Sequence, residues 1–391
     1  TKTILQQSFT IQTLMLLIKG VLQPFESPLL KLNFRMTNYF NLYSNCVITR
    51  GKVNSLIVDY KSEVYFTIPN FIHDVINELC QSDLNDILLA YKDEPEIADR
   101  VEKLKDWLVT NNLGIMATKP KIFSPMRNNF EFSSLSNAII EIENLEKVNS
   151  IVITRILNEL IQLQCKAVQI ILVTPHEIST ISDFLKIFYN IVFQSVELVV
   201  KFKNTPSTEV IENLIKQNLF LKRVYIFGCE SQNIIQLKRF DAMAVFSSQE
   251  DYSTKRCGSI CQDYFSTNLM TYFEAKKHNS CLNQKVAIDR NGNIKNCLSL
   301  SATFGNVCDS SISQALKLDG FKKYWDITKD EIDGCKTCEF RYVCTDCRAF
   351  LEDPKDIFSK PLKCGYDPNT GEWSSWEINP MKKKAIEFYG F

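Results

Sequence analysis

The chain has 391 residues, 45% of them hydrophobic and 23% charged, which supplies apolar mass for roughly two or three domain cores and excludes a disordered chain. Lysine plus arginine number 45 and aspartate plus glutamate 45, so no global field draws the protein to nucleic acid or to an anionic membrane. Fourteen cysteines, some in C-x2-C pairs, favour thiolates holding metal in a reducing cytoplasm over the disulfides of a secreted protein, and a cytoplasmic location is the expectation.

The segment Thr1 to Arg35 reads as an upstream extension, with Met36 near the natural start. Its apolar stretch Phe9 to Leu22 imitates a signal sequence, but Lys19 interrupts it, no small-residue cleavage site follows, and it is too short to span a bilayer as a helix.

Residues 36–118 read as a small α+β domain. Ser55–Asp59 and Val64–Ile68 are strand-like runs parted by polar Lys61, Ser62 and Glu63, which predicts a hairpin. Three helical patterns follow: Ile72, Val75, Ile76 and Leu79 after a capping Asn70; Leu84, Ile87 and Leu88 after Ser82; and Ile97, Val101, Leu104 and Leu108, ending near Asn112 and Gly114.

From Ser134 to residue 256, apolar strands alternate with amphipathic helices. Ala138–Ile142, Val168–Val173, Val196–Val200, Val224–Phe227 and Ala242–Phe246 are predicted strands, with helices around 150–164, 180–190 and 207–218. This alternation predicts an α/β fold with a parallel sheet, open or curved into a partial barrel and too short for eight units.

Residues 257–391 form a cysteine-rich third region. Val286–Asp289 and Asn293–Asn296 flank Arg290, Asn291 and Gly292, and Asn-Gly favours a tight hairpin that brings Cys281 and Cys297 toward one end. Further on come Cys335-Lys-Thr-Cys338-Glu-Phe-Arg-Tyr-Val-Cys344-Thr-Asp-Cys347 and then Cys364. Two residues between cysteines let one loop turn both sulfurs onto a metal centre, with Phe340 and Tyr342 to exclude water and Lys336, Arg341 and Arg348 to offset charge. Spacing alone admits zinc as readily as iron–sulfur clusters. Cys46, Cys80, Cys165 and Cys229 sit in apolar patterns and read as small core residues.

The order Cys281, ten residues, Gly292, four residues, Cys297, then C-x2-C-x5-C-x2-C and Cys364 resembles the SPASM domain, the auxiliary-cluster module of radical-SAM peptide-modifying enzymes. The family ends its central run with C-x3-C, so Cys344 and Cys347 are one residue closer here. The resemblance implies two 4Fe-4S clusters: Cys281, Cys297 and Cys347 on the first, and Cys335, Cys338, Cys344 and Cys364 on the second. For the fourth ligand of the first cluster Cys257 is the leading candidate, with Cys261, Cys308, His278 or an open iron as alternatives.

Two radical-SAM features are missing. The segment after the first central strand, Glu143-Asn-Leu-Glu-Lys-Val-Asn149, has no C-x3-C-x2-C loop, and Leu172-Val-Thr-Pro-His-Glu-Ile178 has no glycine pair to seat the cofactor. Cys257-Gly-Ser-Ile-Cys261 imitates half of the cluster motif, but Tyr264 stands where a third cysteine would. S-adenosylmethionine is therefore not expected.

The combination resembles the SPASM-domain peptide maturase of grasp-with-SPASM systems, over about Asn38 to Trp376. Stretches that carry it include Tyr39-Phe-Asn-Leu-Tyr-Ser-Asn-Cys46, His278-Asn-Ser-Cys281, Cys344-Thr-Asp-Cys-Arg348 and Lys360-Pro-Leu-Lys-Cys-Gly365. The implied fold is a winged-helix-like peptide-recognition domain, a degenerate partial (β/α) barrel of radical-SAM type and a SPASM domain. The implied partners are the leader segment of a ribosomal precursor peptide and an ATP-grasp ligase. Alternatives are an independent iron–sulfur redox or Lewis-acid enzyme and a zinc-stabilised peptide-binding scaffold; no Ser-His-Asp set or phosphate loop supports another reaction.

Overall fold

The computed structural model describes residues 38–121, 123–128, 134–250, 252 and 257–391, so the expectations for Thr1–Met36 lie outside the described residues. Chain order is β1 (Tyr39–Leu42), β2 (Cys46–Arg50), β3 (Asn54–Asp59), β4 (Val64–Pro69), α1 (Asn70–Gln81), α2 (Leu84–Ala90), α3 (Pro95–Thr110) and β5 (Gly114–Ala117). The predicted hairpin is β3–β4, antiparallel from Asn54↔Pro69 to Asp59↔Val64, and β2 adds to its other side. The three helices stand where the periodicity puts them, with two differences at their starts. Pro69 occupies the N-cap of α1 and Asn70 is its first residue; Asp83, not Ser82, caps α2 by accepting the Asn85 N–H. Strands β1 and β5 pair antiparallel, closing the ends of this unit on each other.

Strand β3 is buried along its whole length because its alternate side chains serve two cores. Ile57 packs with Ile68, Ile72, Ile76, Leu104 and Leu108 against the helices. Leu56, Val58 and Tyr60 point the other way, against Phe340, Val343, Cys344, Cys364 and Tyr366 of the cysteine-rich region. Lys52 N–H donates to the Thr337 carbonyl at 2.8 Å and Arg341 Nη1 to the Arg50 carbonyl at 2.9 Å, fixing that contact.

The middle of the chain is β6 (Asn137–Ile142), α4 (Ser150–Gln162), β7 (Ala167–Leu172), α5 (Ile178–Leu185), β8 (Ser195–Lys201), α6 (Thr208–Gln217), β9 (Leu221–Phe227), β10 (Asn233–Leu237) and β11 (Ala242–Phe246). Side-chain caps start two of its helices: Asn149 accepts from the Ile151 N–H and Ser207 from the Val210 N–H. Ile153, Ile156, Leu157 and Leu160 make the buried stripe of α4 and pack into one large core with the strands.

The chain continues with α7 (Leu269–Ala275), β12 (Lys285–Ile288), β13 (Ile294–Lys295), α8 (Ile312–Ala315), β14 (Tyr366–Asp367), β15 (Glu372–Trp373) and α9 (Lys383–Tyr389). The fold is mixed α/β, with an eight-stranded, mostly parallel sheet in the order β10-β11-β9-β8-β7-β6-β12-β13. The five strands expected between 138 and 246 are all present, joined by the unexpected edge strand β10. Strand β12 pairs parallel with β6, from Lys285↔Asn137 to Ile288↔Ile140, so the predicted Asn-Gly hairpin is also the far end of the main sheet. Gly292 makes that turn at φ +80°, where a side chain would be strained. Among the described residues no helix is long and apolar enough to cross a membrane.

Candidate metal centres

Cys335, Cys338, Cys344 and Cys364 line one small gap, a cavity of about 20 Å³, together with Ile260, Lys329, Arg341, Lys360 and Tyr366. Successive tight turns gather the first three: the Cys338 N–H donates to the Cys335 carbonyl at 2.9 Å, and those of Val343 and Cys344 to the Phe340 carbonyl at 3.1 and 3.0 Å. Cys364 arrives from the next loop, held by a bridge to Ile260 and by Lys382 Nζ, which donates to the Cys364 carbonyl at 2.5 Å. Phe340 and Tyr342 are buried beside the gap as expected. Tyr366 stacks edge-on against Phe340 at 5.0 Å and donates its hydroxyl to buried Glu339. Burial pushes the Cys335 thiol up to about 11 and Cys344 to about 12, and raises Cys338 well above the ordinary value.

Cys257, Cys281, Cys297 and Cys347 form a second gathering, in which Cys281 and Cys347 lie within electrostatic reach of each other and of Cys257 and Cys297. Burial pushes the Cys281 thiol up to about 12; Lys285 opposes this, and Cys297, Cys347 and Cys257 add to it. The Cys347 thiol rises to about 11 chiefly through burial, with Cys257 and Cys297 contributing. Cys281 precedes β12 and Cys297 follows β13, so the hairpin brings both to its open end. The Cys257 loop comes in against Cys347: a Cβ at Gly258 would sit 2.7 Å from the Cys347 sulfur, at φ +81°. Lys363 Nζ fastens that loop by donating to the Cys257 carbonyl at 3.0 Å. Of the alternative ligands, His278 is turned to Asp326, 2.9 Å from its Nδ1, and Cys308 is exposed on the loop after Asn306. Cys261 follows Ile260 on the side of the other gap.

A buried polar network ties the two gatherings together. Asn279 Oδ1 accepts the Cys281 and Leu282 N–H groups at 3.0 and 2.8 Å, and its Nδ2 donates to Asp346 at 2.6 Å. Asp346, between Cys344 and Cys347, also takes Arg348 Nη2 at 2.7 Å and lies 3.6 Å from Lys329 Nζ. All four side chains are at most 4% exposed. Burial alone would discharge Lys329, but Cys344, Cys335 and Asp346 outweigh it and raise its pKa.

No protein-family model matches the sequence, and no curated protein matches it. Solved structures of SuiB from Streptococcus suis are similar at low level. The form bound to S-adenosylmethionine is 11% identical at a TM-score of 0.32, and the form bound to precursor peptide SuiA 10% identical at 0.32; each covers 82% of this chain and 98% of its own. At those scores the likeness carries no weight for activity.

The donors present suit a metal–sulfur centre. Among the described residues no three His, Cys, Asp or Glu side chains converge tightly enough to hold a single ion. Four thiolates on zinc, with Zn–S bonds of about 2.3 Å, stand roughly 3.8 Å apart. A four-iron cluster holds its cysteines wider, around a body with volume of its own. Four cysteines on one gap, three buried and Cys338 half-buried, are a donor set that suits either centre. Of the three cations expected to balance charge, Arg348 is buried and paired with Asp346 at 2.7 Å, Arg341 lines the gap but pairs with Asp330 at 2.9 Å, and Lys336 faces solvent, paired with Asp333 at 2.7 Å. Lys329, Lys285, Asn279 and Asp346 carried no local signal, since a polar residue in a loop reads as solvated until its burial is seen.

A small cleft at the C-terminal ends of β7, β8 and β9 is lined by Leu172, Val173, Val200, Lys201, Phe227, Tyr252 and Arg290. This is where open α/β sheets seat ligands. The loop after β6 contributes no cysteine to it.

Proposed function

We propose that the chain is a peptide-maturation protein that binds the leader of a ribosomal precursor peptide through its N-terminal unit and acts beside an ATP-grasp ligase. On this reading Cys335, Cys338, Cys344 and Cys364 hold one 4Fe-4S cluster, and Cys281, Cys297, Cys347 and Cys257 the other. Such clusters supply electron transfer or a Lewis-acidic iron. The observation that carries the reading is the sorting of eight cysteines, scattered over more than a hundred residues, into two gatherings of four. The N-terminal unit supports the binding half: in the β2-β3-β4 sheet β3 is central, so β2 and β4 are its edges, and an extended peptide can add to an edge with main-chain hydrogen bonds. Cysteine-free Glu143–Asn149 supports the inference that no reductive cleavage of S-adenosylmethionine takes place.

The test is metal and sulfide analysis with visible absorption on anaerobically purified protein. About eight irons and eight sulfides per chain are expected, falling by half in Cys335→Ser/Cys338→Ser. A colourless, zinc-rich protein overturns the cluster assignment, and 5′-deoxyadenosine above a cluster-free control overturns the loss of radical chemistry. A labelled precursor peptide should bind through its leader half, and failure to bind it overturns the proposed role.

A further inference from the structure

We propose that the Lys329 ammonium is a fixed charge that raises the reduction potential of the cluster held by Cys335, Cys338, Cys344 and Cys364. The inference rests on the two-cluster reading and concerns what the surrounding protein does to one of them. Lys329 is only 4% exposed and lines the four-cysteine gap. Among the described residues its ammonium makes one ion pair, 3.6 Å from Asp346, and no hydrogen bond. That carboxylate is already engaged at shorter range by Arg348 and Asn279. Two cations therefore share Asp346, Lys329 at the longer range and beside the sulfurs; Glu339, buried next to Cys338 and held by the Tyr366 hydroxyl, is the other carboxylate near the gap.

A buried ammonium that only shares a counter-charge is costly, so a fold that keeps one is matched to an anionic occupant of the gap. The other cations in the lining are committed elsewhere. Arg341 pairs with Asp330 at 2.9 Å and bonds the Arg50 and Cys338 carbonyls, and Lys360 Nζ donates to the Tyr366 carbonyl at 2.6 Å. A thiolate-bound iron–sulfur cluster is negatively charged and becomes more so when it accepts an electron. A positive charge held nearby, away from water, favours the reduced form and raises the potential. Lys329 touches no reacting atom in this role; it is a positioning charge.

Potentiometric titration of the loaded protein, followed by the electron paramagnetic resonance of the reduced clusters, reads this directly. In Lys329→Met one of the two midpoints is expected to fall and the other to stay, whereas Lys329→Arg keeps both near the parent values. Two unmoved midpoints in a Lys329→Met protein that retains both clusters overturn the proposal. Should Lys329→Met lose half its iron, retention of that iron in Lys329→Arg at parent potential supports a charge requirement; loss in both variants overturns it, because shape and not charge then decides. A parent protein without clusters overturns the two-cluster reading and this inference with it, and is distinguished by the iron count.

Discussion

Asp346→Asn is the substitution with the most legible consequence. The carboxylate is 1% exposed and takes hydrogen bonds from Asn279 and Arg348 at 2.6 and 2.7 Å, with Lys329 at 3.6 Å. An asparagine of the same shape can still turn its oxygen to Asn279, but its amide then faces Arg348 and Lys329 with donors and no charge. Removing one partner of a buried ion pair costs about 3–5 kcal/mol, a large part of the 5–15 kcal/mol that typically holds a domain folded. At roughly 1.2 °C per kcal/mol for a chain of 391 residues, the melting temperature should fall by about 4–6 °C. Because Asn279 positions the Cys281 backbone, iron retention should fall as well. The assay is a thermal melt of anaerobic protein by circular dichroism, with iron counted before heating. A melting temperature within about 2 °C of the parent, with iron intact, would refute the argument that this carboxylate joins the two cysteine groups.

A second perturbation tests the approach of the Cys257 loop. Gly258→Ala puts a methyl 2.7 Å from the Cys347 sulfur at φ +81°, costing about 1–3 kcal/mol of backbone strain; about half the iron should be lost, and full retention would place Cys257 outside the ligand set. A third concerns alkaline pH. Burial raises the Cys46 and Cys165 thiols from 9.0 to about 12, so both stay protonated in the fold while the unfolded chain ionises. Their contribution to stability is whole below pH 9 and is lost as pH rises from 9 toward 12, at about 1.4 kcal/mol per thiol per unit. Cys46→Ala/Cys165→Ala should flatten the fall in melting temperature between pH 9 and 11, and an unchanged slope counts against the assignment.

How far the sequence discloses this molecule depends on the range of the interaction. Between 138 and 246 the apolar runs repeat at two and at 3.6 residues, and each one becomes a strand or helix because its burial is decided within a few residues of itself. Parallel pairing of β12 with β6 joins residues about 150 positions apart, and nothing in Lys285-Val-Ala-Ile288 distinguishes a sheet strand from one arm of a local hairpin. The pairing of β1 with β5 escaped for the same reason. The cysteines were legible because their chemistry leaves few other uses for C-x2-C pairs. Their electrostatic surroundings were not: Lys336 beside Cys335 turned out to face water, while Lys329, six residues away, faces the sulfurs.

The cysteine-rich region is also the joint of the molecule. One side of it receives Leu56, Val58 and Tyr60 from β3, and on the other its β12–β13 hairpin completes the main sheet beside β6. Leu56 and Val58 of β3 are each 1% exposed and contribute about 1.5–3 kcal/mol apiece by leaving water, and Tyr60 just past the strand is buried beside them, so the N-terminal sheet is docked by several kcal/mol onto the loops that gather the cysteines. Val343, Cys344 and Cys364 belong to that same interface. Metal bound at Cys344 and Cys364 would therefore stiffen the platform under β3, the central strand of the sheet proposed to receive the peptide. A cluster in that place has a structural reason to persist whether or not it ever passes an electron to a substrate.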